Sequence, residues 1–396
     1  VTDATAEAQN RFRWGPVLLI SFAHFLHDLF TACLAPLLPL IIERLGLSLV
    51  RAGSLVVYTQ LPSLLNPLLG SLADRRRLRR LFVAVGPGVT GTLICLMGLA
   101  PSYAALAVML LTVGCSLAVM HVAAPVIVSQ LSGNRVGRGM SFFMVGGELA
   151  RTVGPLIAVQ LVVTFGLEGT WRIAPLAVAS SVVLWWRLGR YTEPKPTVRP
   201  AGLFTVWFEM RRVLGAIFGV LTARAFMAGA LTVFLPTFIY GESGNLWLAN
   251  ISLAVFEGAG ALGAITAGTV SDWVGRRTVL VTALILSPAL MVLFLNVDGP
   301  ARFVVLAALG FTTLSTTPVL LAVTIENAGA NPAAANGTFM MINFAVRSLI
   351  VLAVGAMGDA MGLRDAYLWC AGLALLSLPF VLLLPPDRAR STSECL

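Results

Sequence analysis

From Trp14 almost to the C-terminus the chain alternates between long apolar stretches and short breaks rich in Gly, Pro, Arg or Asp. A helix needs about 20 predominantly apolar residues to cross a bilayer, and runs of that length recur along the chain. They predict spans over residues 15–42, 50–73, 81–100, 103–131, 139–165 and 172–188. A second set follows at 213–240, 246–270, 279–297, 302–328, 334–358 and 366–385. Backbone polar groups in lipid must be satisfied within the segment that carries them, so runs of this kind are helices. The expectation is an all-α membrane protein with twelve transmembrane helices.

Composition agrees. Of 396 residues, 58% are hydrophobic and 11% charged, with a mean hydropathy of +0.88; soluble domains carry about 25% charged residues. The net charge of +9 comes from arginines beside apolar segments, which points to a membrane surface and not to nucleic acid. Cys33, Cys95, Cys115, Cys370 and Cys395 lack the paired spacing of a disulfide or metal framework and read as small packing residues. The first apolar run exceeds a signal-peptide core and is expected to stay in the mature protein.

Orientation follows from Lys and Arg. With the N-terminus inside, nineteen of the 27 fall in cytoplasmic loops and span ends, and five (Arg44, Arg51, Arg172, Arg302 and Arg364) on the other side. The positive-inside rule therefore places both termini in the cytoplasm, in the manner of a multi-pass bacterial inner-membrane protein. Only Arg151, Arg224 and Arg347 remain for the bilayer interior.

The halves repeat. Gly70-Ser-Leu-Ala-Asp74-Arg75 after the second span returns as Gly268-Thr-Val-Ser-Asp272, with Arg276 and Arg277, after the eighth; Asp272 lies 198 residues beyond Asp74. Pro236 lies 197 beyond Pro39, and Arg347 lies 196 beyond Arg151. Such repeats are common in secondary-transporter folds. The expected organisation is a six-helix bundle over 1–188, a cytoplasmic linker over 189–212 that holds Pro194, Pro196 and Pro200, and a second bundle over 213–396 with a short tail.

The Gly-x-Leu-Ala-Asp-Arg-Arg-Arg-x-Arg run from Gly70 resembles the cytoplasmic loop signature of the major facilitator superfamily. Within it, the chain resembles the fosmidomycin-resistance family. Ala23-His24-Phe25-Leu26-His27-Asp28 is similar to that family's His-x-x-Asn-Asp in helix 1, with His27 for Asn. Phe143-Met-Val-Gly146-Gly147, followed by Gly154-Pro155, is similar to its helix 5. Where the family has Phe-His-Pro-Glu in helix 4, this chain reads Met120-His121-Val122-Ala123, and a polar Asn after the helix-5 glycines is replaced by Glu148. The resemblance implies two pseudo-symmetric six-helix bundles and efflux driven by proton entry. Spans 3, 6, 9 and 12 hold no interior charge, as expected if they face lipid while the others line a central cavity.

An intramembrane charge costs about 2.5–3.5 kcal/mol on insertion scales and defaults to a functional role. The candidates for proton coupling are Asp28 with His24, then Glu148, Glu257 and Glu326. His24 and Asp28 share a helix face; the plain alternative is a hydrogen bond that merely ties helix 1 to a neighbour. Arg224, with Arg151 and Arg347, forms the candidate substrate site, because guanidinium forks bind anionic oxygens bidentately. His27 and His121 join it as further intramembrane polar groups. Glu148 and Arg151, three apart, are expected to pair. Gly70, Asp74, Arg75, Asp272 and Arg276 form the candidate cytoplasmic gate, in which a carboxylate caps a helix N-terminus; a tight turn with orienting charge is the alternative.

The expected function is a proton-coupled efflux antiporter for a small anionic or amphiphilic compound, with small-molecule substrate and protons as partners, acting as a monomer in the bilayer. The alternative is proton-coupled uptake of an organic anion. A membrane metalloenzyme built on His24, His27, Asp28 and His121 is the remote reading, since no His-Glu-x-x-His helix occurs. No cofactor is expected: a Gly-x4-Gly-Lys-Ser/Thr nucleotide loop is absent from the sequence.

Overall fold

The computed structural model describes residues 12–133, 135–190, 203–329 and 332–386, without the side chains of residues 67, 71, 74, 190, 203–206 and 332–334. Most of the predicted linker, residues 191–202, and the tail beyond 386 lie outside the described residues. Among those described, the regular structure is helical.

The first predicted span is two helices, α1 (Trp14–Thr31) and α2 (Leu34–Leu45). The joint lies one turn after Asp28, where the Asp28 carbonyl accepts from Ala32 N at 2.8 Å and from the Thr31 hydroxyl at 2.9 Å. Span 2 is also broken: α3 (Leu49–Gln60) and α4 (Asn66–Arg76) flank a 3-10 turn over Leu61–Leu65. Pro62 and Pro67 lack the N–H groups that a continuous helix would use there. Then come α5 (Arg79–Leu96), α6 (Tyr103–Leu131), α7 (Val136–Phe165) and α8 (Ala174–Arg187). In the second half, α9 (Leu203–Ser243), α10 (Leu246–Val274), α11 (Arg276–Asn296), α12 (Pro300–Glu326) and α13 (Pro332–Met361) are single helices. The last span is split into α14 (Leu363–Ala374) and α15 (Ser377–Leu382).

Ten of these segments are long and apolar enough to cross a bilayer. Spans 2 and 6 are the shorter exceptions, the one broken at its prolines, the other reduced to fourteen regular residues after a 3-10 turn. α9 starts at Leu203, ten residues before the predicted span. No proline lies between Pro200 and Pro236, so Arg211 and Arg212 ride on its first turns and not in a loop.

The chain packs as two compact units. One comprises Val1–Arg199 with Gly229–Gly258 and Arg347–Ala366; the other comprises Pro200–Ala228, Ala259–Val346 and Tyr367–Leu396. In the first unit α1 packs on α7, and α5 on α6 and α8. The seam between α1 and α7 is glycine-lined: a Cβ added at Gly146 would lie 2.6 Å from the Ser21 carbonyl oxygen. α8 turns Leu176, Val182 and Trp186 outward, the apolar face a lipid-contacting helix needs.

Candidate functional site

The close approach of α7 to α1 brings three ionisable side chains of the first unit together. His24 Nε2 lies 3.2 Å from Asp28 Oδ2 one turn along the helix, and 3.2 Å from His121 Nε2 on α6. His121 Nε2 in turn lies 3.5 Å from Asp28 Oδ1. His24 is stacked on the Phe143 ring at 3.9 Å between centroids, and its Nδ1 is 2.8 Å from the Phe143 carbonyl. The Nδ1 of His121 is 3.0 Å from the Leu117 carbonyl. Gly147 leaves the room: a Cβ there would stand 2.8 Å from His24 Cε1.

These contacts fix the chemistry. A carbonyl oxygen only accepts, so both Nδ1 atoms carry hydrogen and both Nε2 atoms present lone pairs in the neutral rings. Two lone pairs and a carboxylate then converge on one place, which is repulsive unless a proton or another cation lies among them. His24 and Asp28 are nearly enclosed, with side chains 5% and 11% exposed, whereas His121 is 37% exposed and forms the way in.

The shared face of His24 and Asp28 is as the i, i+4 spacing requires, and His121, assigned from sequence to substrate, joins them. His27 is fully buried outside the triad's point of convergence; its ring centroid is 5.9 Å from that of His121, and its Nδ1 lies against Gly86 of α5.

A second cluster in the same unit joins α7 to α10. Arg151 Nη2 pairs with Glu148 Oε1 at 2.5 Å, and its Nε reaches Glu257 Oε2 at 3.6 Å. Arg347 on α13 donates from Nη2 to the Thr232 hydroxyl of α9 at 3.1 Å. Asp359, which the sequence reading passed over, accepts from Leu49 N at 2.6 Å and Val50 N at 2.9 Å. It thereby caps α3 at the end of that span remote from Arg75. The signal for it was an acid one residue past Gly358, with Gly355 one turn earlier.

In the other unit Arg224 is buried and donates to two hydroxyls of α12, Thr316 and, at 2.7 Å, Thr317. Met227, Leu284, Ser287 and Thr313 line the narrow cleft beside it. The run Thr312-Thr313-Leu314-Ser315-Thr316-Thr317 was the sequence signal for this shell.

Glu326, read from sequence as an interior carboxylate, ends α12 and pairs with Arg276 at 2.8 Å. Hydropathy could not place the last turn of that helix. Arg276 also pairs with Asp272 at 2.5 Å and donates to the Gly268 carbonyl at 3.2 Å. Three of the repeated loop's members thus meet at one guanidinium, within the second half. Arg75 is exposed, Gly70 lies against Val122 of α6, and the side chain of Asp74 lies outside the described residues.

The family model of the Major Facilitator Superfamily matches residues 20–351. The fosmidomycin resistance protein of Escherichia coli K12 is 24% identical over 97% of this chain and 96% of its own length. The multidrug resistance protein MdtG of Escherichia coli is 24% identical over 94% and 95%. Among solved structures, a mutant of the nucleoside transporter NupG superposes with a TM-score of 0.76 at 16% identity, covering 93% of this chain and all of its own. A bacterial homologue of the human lysosomal transporter Spinster, inward-facing and unoccupied, gives 0.71 at 16%, over 93% and 94%. At such identities these structures speak for the fold alone.

Proposed function

The chain belongs to the major facilitator superfamily, a family of transporters and not of enzymes, and from that premise we propose that it is a proton-coupled efflux antiporter for a small anionic or amphiphilic compound. The observation that carries the coupling is the convergence of His24, Asp28 and His121 on one point. Three acceptors facing one another need a positive charge, and a proton that enters through His121 supplies it. Asp28 and His24 hold that proton, and Glu148 and Glu257 are the fallback carriers.

Arg224, with its Thr316 and Thr317 hydroxyls, is the proposed site for an anionic group of the substrate. Arg151 and Arg347 are held by Glu257 and Thr232 until substrate replaces those partners. Alternating access follows if proton and substrate each bias the same equilibrium between inward- and outward-facing states. We place both termini in the cytoplasm on the arginine count, and take one chain as the working unit. Membership of the narrower fosmidomycin-resistance group is part of this proposal, supported by the helix-1 and helix-5 residues and by the similarity of that protein over nearly the whole chain. Its name also supports efflux as the direction.

The second reading is proton-coupled uptake of an organic anion, since the convergence of His24, Asp28 and His121 takes up a proton whichever way substrate moves. Fosmidomycin added to proteoliposomes with an imposed pH gradient separates the two. Antiport moves drug against the entering protons, symport moves it with them, and no proton flux with any anionic compound tried would defeat both.

A further inference from the structure

We propose that His24, Asp28 and His121 form a binding site for a divalent transition-metal ion of the zinc class. The inference goes beyond the transport reading and needs only the site's geometry. Zinc bound tetrahedrally at about 2.0–2.1 Å holds its ligand atoms about 3.3 Å apart. Here the two Nε2 atoms are 3.2 Å apart, and the carboxylate oxygens lie 3.2 and 3.5 Å from them. One ligand atom from each residue falls within a span of 4.8 Å.

The surrounding groups support the same reading. Each imidazole gives its Nδ1 hydrogen to a backbone carbonyl, of Phe143 or Leu117. Metal-ligating histidines are oriented in this manner, with the tautomer that leaves Nε2 free for the ion. The Phe143 ring clamps His24 from one face, so the ligands are largely in place before an ion arrives.

Two nitrogens and one carboxylate suit zinc or cobalt and not magnesium or calcium, which prefer all-oxygen shells. Three protein ligands leave a fourth position open to water on the exposed side of His121. The ion would neutralise the same converging lone pairs that otherwise require a proton, so it occupies the place of that proton and sends it to water.

Calorimetric titration of the purified full chain in detergent with Zn2+ tests this, with folding of each variant followed by size-exclusion chromatography and thermal melting. One ion per chain is expected, with affinity falling at least tenfold in His24→Gln and in His121→Gln and unchanged in Cys115→Ser, which removes the one exposed thiol among the described residues. Co2+ supplies a second readout that needs no variant: visible bands of nitrogen and oxygen ligation are expected, without a thiolate charge-transfer band. Absence of Zn2+ binding, affinity retained in both histidine variants, loss in Cys115→Ser, or a thiolate band would each overturn the proposal. Proton-driven transport measured on the same preparation stands or falls separately.

Discussion

At the scale of single residues, the site depends on a small number of contacts that admit no substitute. Gly147 is one. His24 is held by a stacked ring and a carbonyl, so it has no way to retreat from a methyl group 2.8 Å away. Gly147→Ala is expected to destabilise the chain by about 1–3 kcal/mol, as overpacked cores do, and to move the triad apart. Thermal melting would show the first effect. Arg224 is another such residue. Lysine keeps its charge but cannot reach two hydroxyls and an anion in one plane, so Arg224→Lys should weaken binding of an anionic substrate. The expected loss is roughly 10- to 100-fold, the range for charge-assisted hydrogen bonds of about 1.5–3 kcal/mol. Affinity equal to that of the wild type in both Arg224→Lys and Arg224→Ala, measured by direct binding, would remove Arg224 from the substrate site.

Legibility from sequence also divides at this scale. That Asp28 and His24 share a face follows from helical spacing, and that Glu148 pairs with Arg151 follows from the same rule. His121 lies 97 residues from His24, and no local rule brings it there; only the glycine seam of α7 against α1, with α6 beside them, does so. Glu326 was misplaced because hydropathy averages over a window and does not resolve a helix's last turn. The Thr316 and Thr317 hydroxyls were in plain view but carry no charge, and a search for intramembrane charge passes over them.

At the scale of helices, the bilayer made most of the fold readable. It imposes a length and an apolar content on each span, and ten segments meet both. The breaks in spans 1 and 2 escaped, because prolines are tolerated within membrane helices and so do not by themselves mark a break. The same scale holds the candidate gates. Asp359 caps α3 with both carboxylate oxygens, a contact between residues 309 and 310 apart in sequence. Losing a cap costs about 1 kcal/mol, equivalent to a roughly fivefold shift in a two-state equilibrium. Asp359→Ala should therefore raise labelling of cysteines introduced near Leu49 by about that factor; unchanged labelling would mean the contact does not gate. At the repeated loop, Asp272→Asn weakens one of the two carboxylate pairs of Arg276, and Asp74→Asn alters its repeat partner. Both variants are expected to fold and to change labelling on the linker side. No change in either would leave the loop as a turn with orienting charge.

At the scale of the whole molecule, the recurring apolar spans and the repeated loop make a multi-span transporter of the major facilitator superfamily legible in the sequence, because they are properties of the entire chain. The cargo is not legible in this way. It depends on which partners surround Arg224 and Arg151, and those are tertiary facts. The central claim is that the proton held among Asp28, His24 and His121 drives the movement of substrate. The most direct measurement is transport by Asp28→Asn in proteoliposomes, with fosmidomycin as probe, both with and without a pH gradient. Asparagine imitates a carboxyl that never releases its proton. The account predicts that the variant still binds and exchanges the compound across the membrane but no longer moves it against its gradient. Full proton-driven transport with an unchanged pH profile would contradict it and pass the coupling role to Glu148 or Glu257.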